Sequence, residues 1–136
     1  MKHIALIALL ALAGCKLDPA PADRAYVEYG VSGTLTGGSA QTKITPDDIV
    51  MREETAAQRQ LIRTRTLPEG SFDRVREIAA SYMPRLMQLD TSRVCPDAGT
   101  FRLVIVASDG DEQVFEARCP DGLILDAFAA MGAVVE

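Results

Sequence analysis

Two acidic pairs, Asp47-Asp48 and Glu53-Glu54, are the first residues in this chain whose type and spacing could support chemistry. Two carboxyls facing each other across a cleft can divide acid and base work, as in glycoside hydrolysis. No sequence rule turns these pairs towards a common cleft, and surface turns or a solvated strand end account for them more simply. A third acidic run, Asp109-Gly110-Asp111-Glu112, invites a calcium reading but lacks the remaining ligands and spacing of a calcium-binding loop. It reads as a solvated hairpin tip. The only histidine is His3, next to the start of the chain. Without imidazole elsewhere, Ser-His-Asp and Cys-His catalysis, histidine-bound zinc and the usual base near neutral pH have no residue to carry them. Neither Gly-x-x-x-x-Gly-Lys-Ser/Thr nor Gly-x-Gly-x-x-Gly occurs, so no phosphate cradle is expected. The chain is expected to be no enzyme and to hold no cofactor and no metal.

The leader explains why the histidine does not count. Met1-Lys2-His3 is a short cationic start, Ile4 to Leu12 carries no polar residue, and Ala13-Gly14-Cys15 follows. A positive start, a short apolar run and small residues before a cut site make a secretory signal. The run falls short of the roughly 20 residues that a lasting membrane-spanning helix needs. A buried helix of a folded core would carry a polar face, and this segment has none. Leu12-Ala13-Gly14-Cys15 resembles the bacterial lipobox. That resemblance implies a signal peptide over residues 1–14, cut before Cys15, whose thiol carries a diacylglycerol. It also implies acylation of the new amino group, with chains such as palmitate. Each buried CH₂ contributes about 0.8 kcal/mol, so one acyl chain holds weakly and two or three hold firmly. Lipoproteins retained in the inner membrane often carry Asp after the cysteine; Lys16 here favours the outer membrane of a Gram-negative cell, facing the periplasm.

Behind the cysteine, residues 15–23 read as a lipidated tether, since alternating Pro and small residues favour an extended spacer of roughly 25 Å. Residues 24–136 then form a single globular domain, long enough for a real core. The net charge is −5 and becomes −6 once Lys2 leaves with the leader. No run of Lys or Arg supports a nucleic-acid groove, so no nucleic-acid partner is expected. Trp is absent and aromatics are few, which weakens any sugar- or base-stacking reading. With Cys15 taken by lipid, Cys95 and Cys119 remain, and an isolated pair in an exported protein is expected to form a disulfide. A metal or redox role is weaker: there is no Cys-x-x-Cys, and two thiolates make half a zinc site.

Elements that would position these residues follow from periodicity. Val27, Tyr29 and Val31 alternate with Glu28, Gly30 and Ser32 in a half-buried strand over Ala25 to Leu35. Gly37-Gly38-Ser39 marks a turn, and Gln41 to Thr45 returns. Pro46-Asp47-Asp48 suits a tight turn, with strands over Ile49 to Glu54 and Gln58 to Thr66. Glu53 to Arg63 is open to a helical reading; the alternation Arg63-Thr64-Arg65-Thr66 favours strand. Ser71 is positioned to cap a helix whose stripe runs through Phe72, Val75, Ile78, Ala79, Tyr82, Met83 and Leu86, with Pro84 kinking or ending it. Phe101 to Ala107 is a β-branched strand, and Asp109-Gly110 is expected as a two-residue hairpin turn to Glu112–Arg118. That register pairs Ser108 with Asp111 and Phe101 with Arg118, and brings Cys119 beside the loop that carries Cys95. Asp121 caps a closing helix with Ile124, Ala127, Phe128, Met131 and Val135 on one face. The expected fold class is α+β: an antiparallel sheet of five to six strands with two helices packed on one face.

In layout, this arrangement resembles emfourin-type proteins, small inhibitors of thermolysin-like metalloproteases. The resemblance rests on the glycine-punctuated strand Gly30-Val31-Ser32-Gly33-Thr34-Leu35-Thr36-Gly37-Gly38, on Leu67-Pro68-Glu69 opening a helix, on an antiparallel hairpin and on the closing helix. It implies a non-catalytic, protease-inhibitor-like module. Lipid anchor, disulfide and a longer strand region are departures from that pattern. The expected role is a membrane-anchored envelope lipoprotein that binds another envelope protein through the loop containing Gly33, Gly37, Gly38 and Ser39, since loops on rigid scaffolds carry recognition. Turn chemistry alone also accounts for those glycines. The alternatives are a structural or assembly lipoprotein, with Arg59 to Arg65 as the expected contact face, and a small-ligand carrier, which would need a large apolar cavity between sheet and helices.

Overall fold

A computed structural model describes residues 25–57 and 59–136. The segments expected as a signal sequence (1–14) and a tether (15–23), with the expected lipid acceptor Cys15, lie outside the described residues. The element order is β1 (Tyr26–Ser32), β2 (Ser39–Ile44), β3 (Asp48–Glu54), β4 (Gln60–Thr66), α1 (Ser71–Leu86), β5 (Thr100–Val106), β6 (Glu112–Ala117) and α2 (Gly122–Val135). The strands form one six-stranded sheet in the order β4-β3-β2-β1-β5-β6, antiparallel at every neighbour. The fold is α+β, as the alternation and helical stripes predict. Glu53 to Arg63 is hairpin rather than helix: Glu53 pairs with Leu61 and Thr55 donates its N–H to the Arg59 carbonyl at 3.1 Å.

One sheet face carries the core. Val27, Ile44, Ile49, Leu103 and Phe115 point to the helices and are buried, and they meet Val75, Ala79, Met83 and Leu86 of α1 and Ile124 and Met131 of α2. Burying each large apolar side chain of this kind contributes about 1.5–3 kcal/mol. Among the described residues no buried side-chain polar atom lacks a hydrogen-bond partner. Among the described residues no helix covers the other face, yet Val104 and Val106 of β5 are buried there too, at 2% and 7% exposure. By register their neighbours are Tyr26, Glu28 and Val114. Arg102 lies 4.0 Å from Glu28 and 3.9 Å from Glu116, and Lys43 sits 4.0 Å above the Tyr26 ring, so long side chains roof the two valines. This is why β5 reads as a continuous apolar run.

Two local expectations are corrected. The β5–β6 loop has three residues, Ser108 to Gly110, not two: Ala107 donates to the Asp111 carbonyl at 2.8 Å, and Phe101 pairs with Ala117 rather than Arg118. Gly110 at φ +90° supplies the left-handed residue that closes a three-residue hairpin. The second correction is at α1, where Gly70 rather than Ser71 is the N-cap and no side chain caps the helix. The Ser71 N–H bonds the Pro68 carbonyl at 3.1 Å, with Gly70 at φ 78° and ψ −11°, the third position of a type II turn. Turn geometry therefore takes Ser71 into the first helical position. Pro84 lies inside α1, which runs on to Leu86, with the Met87 N–H bonded to the Met83 carbonyl at 2.9 Å. Asp121 does cap α2, accepting from the Leu123 N–H at 2.8 Å.

Candidate functional site

The candidate loop lies where β1 turns into β2. Gly33 and Gly37 take φ values of 67° and 69°, which L side chains rarely adopt, so both are required by the turn. The Gly37 N–H bonds the Thr34 carbonyl at 2.7 Å, and the Thr34 hydroxyl accepts from the Gly38 N–H at 3.2 Å. Ser39 closes the turn as the first residue of β2. At the tip Leu35 is 74% exposed, the most exposed large apolar residue among those described. Its backbone is held all the same: the Leu35 N–H donates to the Asp97 carbonyl at 3.3 Å.

That bond joins the candidate loop to the disulfide. Cys95 and Cys119 are bonded, with Cα atoms 4.6 Å apart. The Cys95 N–H donates to the Arg118 carbonyl at 3.0 Å, so the loop before β5 is pinned to the end of β6. Within that loop Asp97 takes φ 75°, a conformation Asp tolerates better than most residues, and Gly99 takes φ 78°. A Cβ on Gly99 would lie 2.5 Å from the Ser32 carbonyl oxygen. A chain of contacts thus runs from Cys119 through Cys95, Asp97 and Gly99 to the Gly33–Ser39 turn. Sequence reasoning reached the disulfide and the turn but missed Asp97 and Gly99, whose only sequence signal was an Asp-Ala-Gly run after the cysteine.

Two clefts flank the turn. One, of about 410 Å³, is lined by Gly37, Gly38, Ser39, Arg52, Glu54 and Gln60; the other, of about 300 Å³, by Val31, Thr34, Ala40, Glu53 and Thr55. A third hollow of about 280 Å³ lies beside Cys119, with Asp90, Arg93, Phe115 and Asp121 in its walls. The Ser92 hydroxyl and N–H hold the exposed Asp90 carboxyl below the usual range.

The carboxylate pairs are not brought together. Asp47 and Asp48 stand at one end of β3 and Glu53 and Glu54 at the other, about 20 Å away at strand rise. Asp48 accepts from the Thr45 hydroxyl at 2.8 Å, closing the turn, and Glu53 lies 3.6 Å from Arg63 across the hairpin. Among the described residues no three His, Cys, Asp or Glu side chains are grouped to hold a metal ion, and no helix is long and apolar enough to cross a membrane.

Tyr29 of β1 packs against α2, its ring centroid 5.1 Å from that of Phe128. Burial raises its pKa above 10.0, Glu136 adds to the rise and the Thr42 hydroxyl opposes it. A folded value above the unfolded one means that the folded chain holds the proton more tightly. This contribution is whole below pH 10.0 and is lost as pH climbs through the folded value. Urea unfolding between about pH 9 and about pH 11 should show stability falling, and Tyr29→Phe should flatten the fall. What remains is the share of Tyr26, also raised by burial and by Glu28 and Glu112. An unchanged slope in Tyr29→Phe would remove the tyrosine from the account.

The class defined by this geometry is an all-antiparallel six-stranded sheet with two helices on one face and a disulfide-buttressed turn at one end. No protein-family model matches the chain, and no curated protein matches it in sequence.

Proposed function

We propose that this protein is a membrane-anchored envelope lipoprotein whose globular domain binds another protein through the Gly33–Ser39 turn, in the manner of a protease inhibitor. The observation that carries the reading is Leu35, an apolar side chain 74% exposed on a turn whose backbone is fixed by its own bonds and by Asp97. A preordered loop with an apolar tip loses little conformational entropy on binding and buries an anchor residue, which is how inhibitory loops reach high affinity. The flanking clefts leave room for a partner on either side of the tip. Address comes from the leader, where Leu12-Ala13-Gly14-Cys15 behind an apolar run supports a lipid anchor.

Two measurements test this. Cys15→Ser should move the protein out of the membrane fraction and abolish the acyl mass on the mature N-terminus; equal membrane retention of both forms sinks the anchor. A photo-crosslinking residue at position 35 should trap one envelope protein, and Leu35→Asp should release it. A thermolysin-like metalloprotease, assayed directly, should be slowed by the wild-type protein and less by Leu35→Asp. If Leu35→Asp captures the same partner as strongly, the turn is not the binding surface.

The alternative, a structural or assembly lipoprotein, is favoured by a different observation: all seven residues of β4 are exposed. A carrier role gains no support, because the interior is filled by side chains such as Ile44, Leu86, Leu103 and Met131 that are fully buried.

A further inference from the structure

The two edge strands of the sheet are complementary, and we propose that copies of this chain associate head to tail, the β4 edge of one pairing with the β6 edge of the next. Both edges are regular and without proline over Gln60–Thr66 and Glu112–Ala117. An unpaired strand edge is a template for another strand, and proteins that avoid such pairing blunt their edges.

Which backbone groups are free follows from the register. Thr55 donates to Arg59 and Leu67 donates to Asp47, so the pairs between them that exchange bonds are Glu53 with Leu61, Met51 with Arg63 and Ile49 with Arg65. Gln60, Ile62 and Thr64 therefore direct their N–H and C=O groups outward. On the other side Ala107 bonds Asp111, so Leu103 with Phe115 and Ile105 with Gln113 exchange bonds, and Glu112, Val114 and Glu116 face outward. The Arg118 carbonyl, next in that phase, accepts from Cys95, which shows that the outward direction is the one available to a partner.

Three features select a second copy in this arrangement. Because the sheet has six strands, β4 and β6 run in opposite directions. A neighbour's β6 laid beside β4 continues the antiparallel alternation. The outward-facing residues of both edges also carry side chains on the helix-free face, so the helices of both copies stay on one side. Charge is matched as well: Arg59, Arg63 and Arg65 serve β4, which has no acid, whereas β6 and its turn carry Asp109, Asp111, Glu112 and Glu116. With Ile62 opposite Val114, Leu61 meets Phe115 and Arg65 meets Asp111, and no like charges are opposed. Pairing two β4 edges does the reverse. Each central register sets one arginine against another: 59 against 63, 59 against 65, 63 against 63, or 63 against 65. Like charges directly opposite destabilise a ladder. In the heterologous pairing Ile62, 53% exposed, and Leu61, 48% exposed, gain cover without setting one arginine against another.

The contact is heterologous rather than two-fold, so assembly should grow with concentration rather than stop at a dimer. Proline at an outward-facing position blocks an edge without removing an internal bond. The full-length chain, purified in density-matched detergent, should show by sedimentation a mass that rises with protein concentration. Thr64→Pro and Val114→Pro should each sediment as a single chain with unchanged circular dichroism. Mixed one to one they should form a two-chain species and nothing larger, since each retains one competent edge. Leu35→Asp should associate like the wild type, which separates this contact from the turn. Where a proline variant fails to fold, charge reversal carries the test. Arg65→Glu alone and Asp111→Arg alone should be single chains, and their mixture should associate. A wild-type protein that stays a single chain, a dimer lost in Thr64→Pro but intact in Val114→Pro, or variants that do not complement would each overturn the proposal.

Discussion

Gly30→Ala is expected to destabilise the domain by about 2–3 kcal/mol, against the usual direction of a glycine-to-alanine change. Replacing glycine where the backbone is relaxed ordinarily stabilises by about 0.4–1 kcal/mol, because the unfolded chain loses freedom. Gly30 sits in β1 between Gln41 of β2 and Arg102 of β5. A Cβ there would lie 2.1 Å from the Ala40 carbonyl oxygen and 2.7 Å from the Gln41 Cα. Both are backbone atoms, so no rotamer change relieves the contact, and β1 and β2 must separate where their ladder is continuous. Gly122, at the start of α2 with nothing near its missing Cβ, is the internal control. Gly122→Ala should raise stability by about 0.5 kcal/mol. Chemical denaturation of the three proteins decides the matter: a gain in Gly30→Ala would mean that the two strands do not approach as described.

Opening the disulfide should cost about 3 kcal/mol, the chain-entropy value for a loop of this length. The bridge spans 24 residues. Cys95→Ser with Cys119→Ser should lower the denaturation midpoint accordingly, and reduction of the wild type should reproduce the loss. The more specific consequence lies at the candidate turn. Leu35 donates to Asp97, two residues from Cys95, so releasing the staple should loosen the turn before the sheet unfolds. Hydrogen exchange at the Leu35 amide should quicken in the double serine variant, while amides of β1 and β5 exchange only with global unfolding. Unchanged protection at Leu35 would show that the turn holds itself and owes nothing to the disulfide.

Much of the fold was legible because burial imposes periods on the sequence. The alternation of Val27, Tyr29 and Val31, the stripe from Phe72 to Leu86 and the face from Ile124 to Met131 each mark the side turned to the core. What was misread depended on backbone geometry that residue type only narrows. Asp109-Gly110 suits a two-residue hairpin, but a glycine at positive φ also closes a three-residue loop, and the slip of one position changes every pair in the ladder. Ser71 is a good capping residue, yet Gly70 at φ 78° completes the turn first. The strand reading of Gln58 to Thr66 was correct in kind; β4 spans Gln60–Thr66, Gln58 lies outside the described residues, and no hydrophobic pattern marks a strand exposed on both faces.

The amino-acid sequence alone determines three things here: the amphipathic elements, an apolar N-terminal run into Leu12-Ala13-Gly14-Cys15, and a histidine-free chain beyond it. Each is written locally, in residue types a few positions apart. Tertiary structure alone decided that Leu35 is held by Asp97, that Gly30 faces the Ala40 carbonyl, and that a basic and an acidic edge stand at opposite ends of one sheet. Those relations join residues far apart in the chain, and no local pattern encodes a distance that only packing sets.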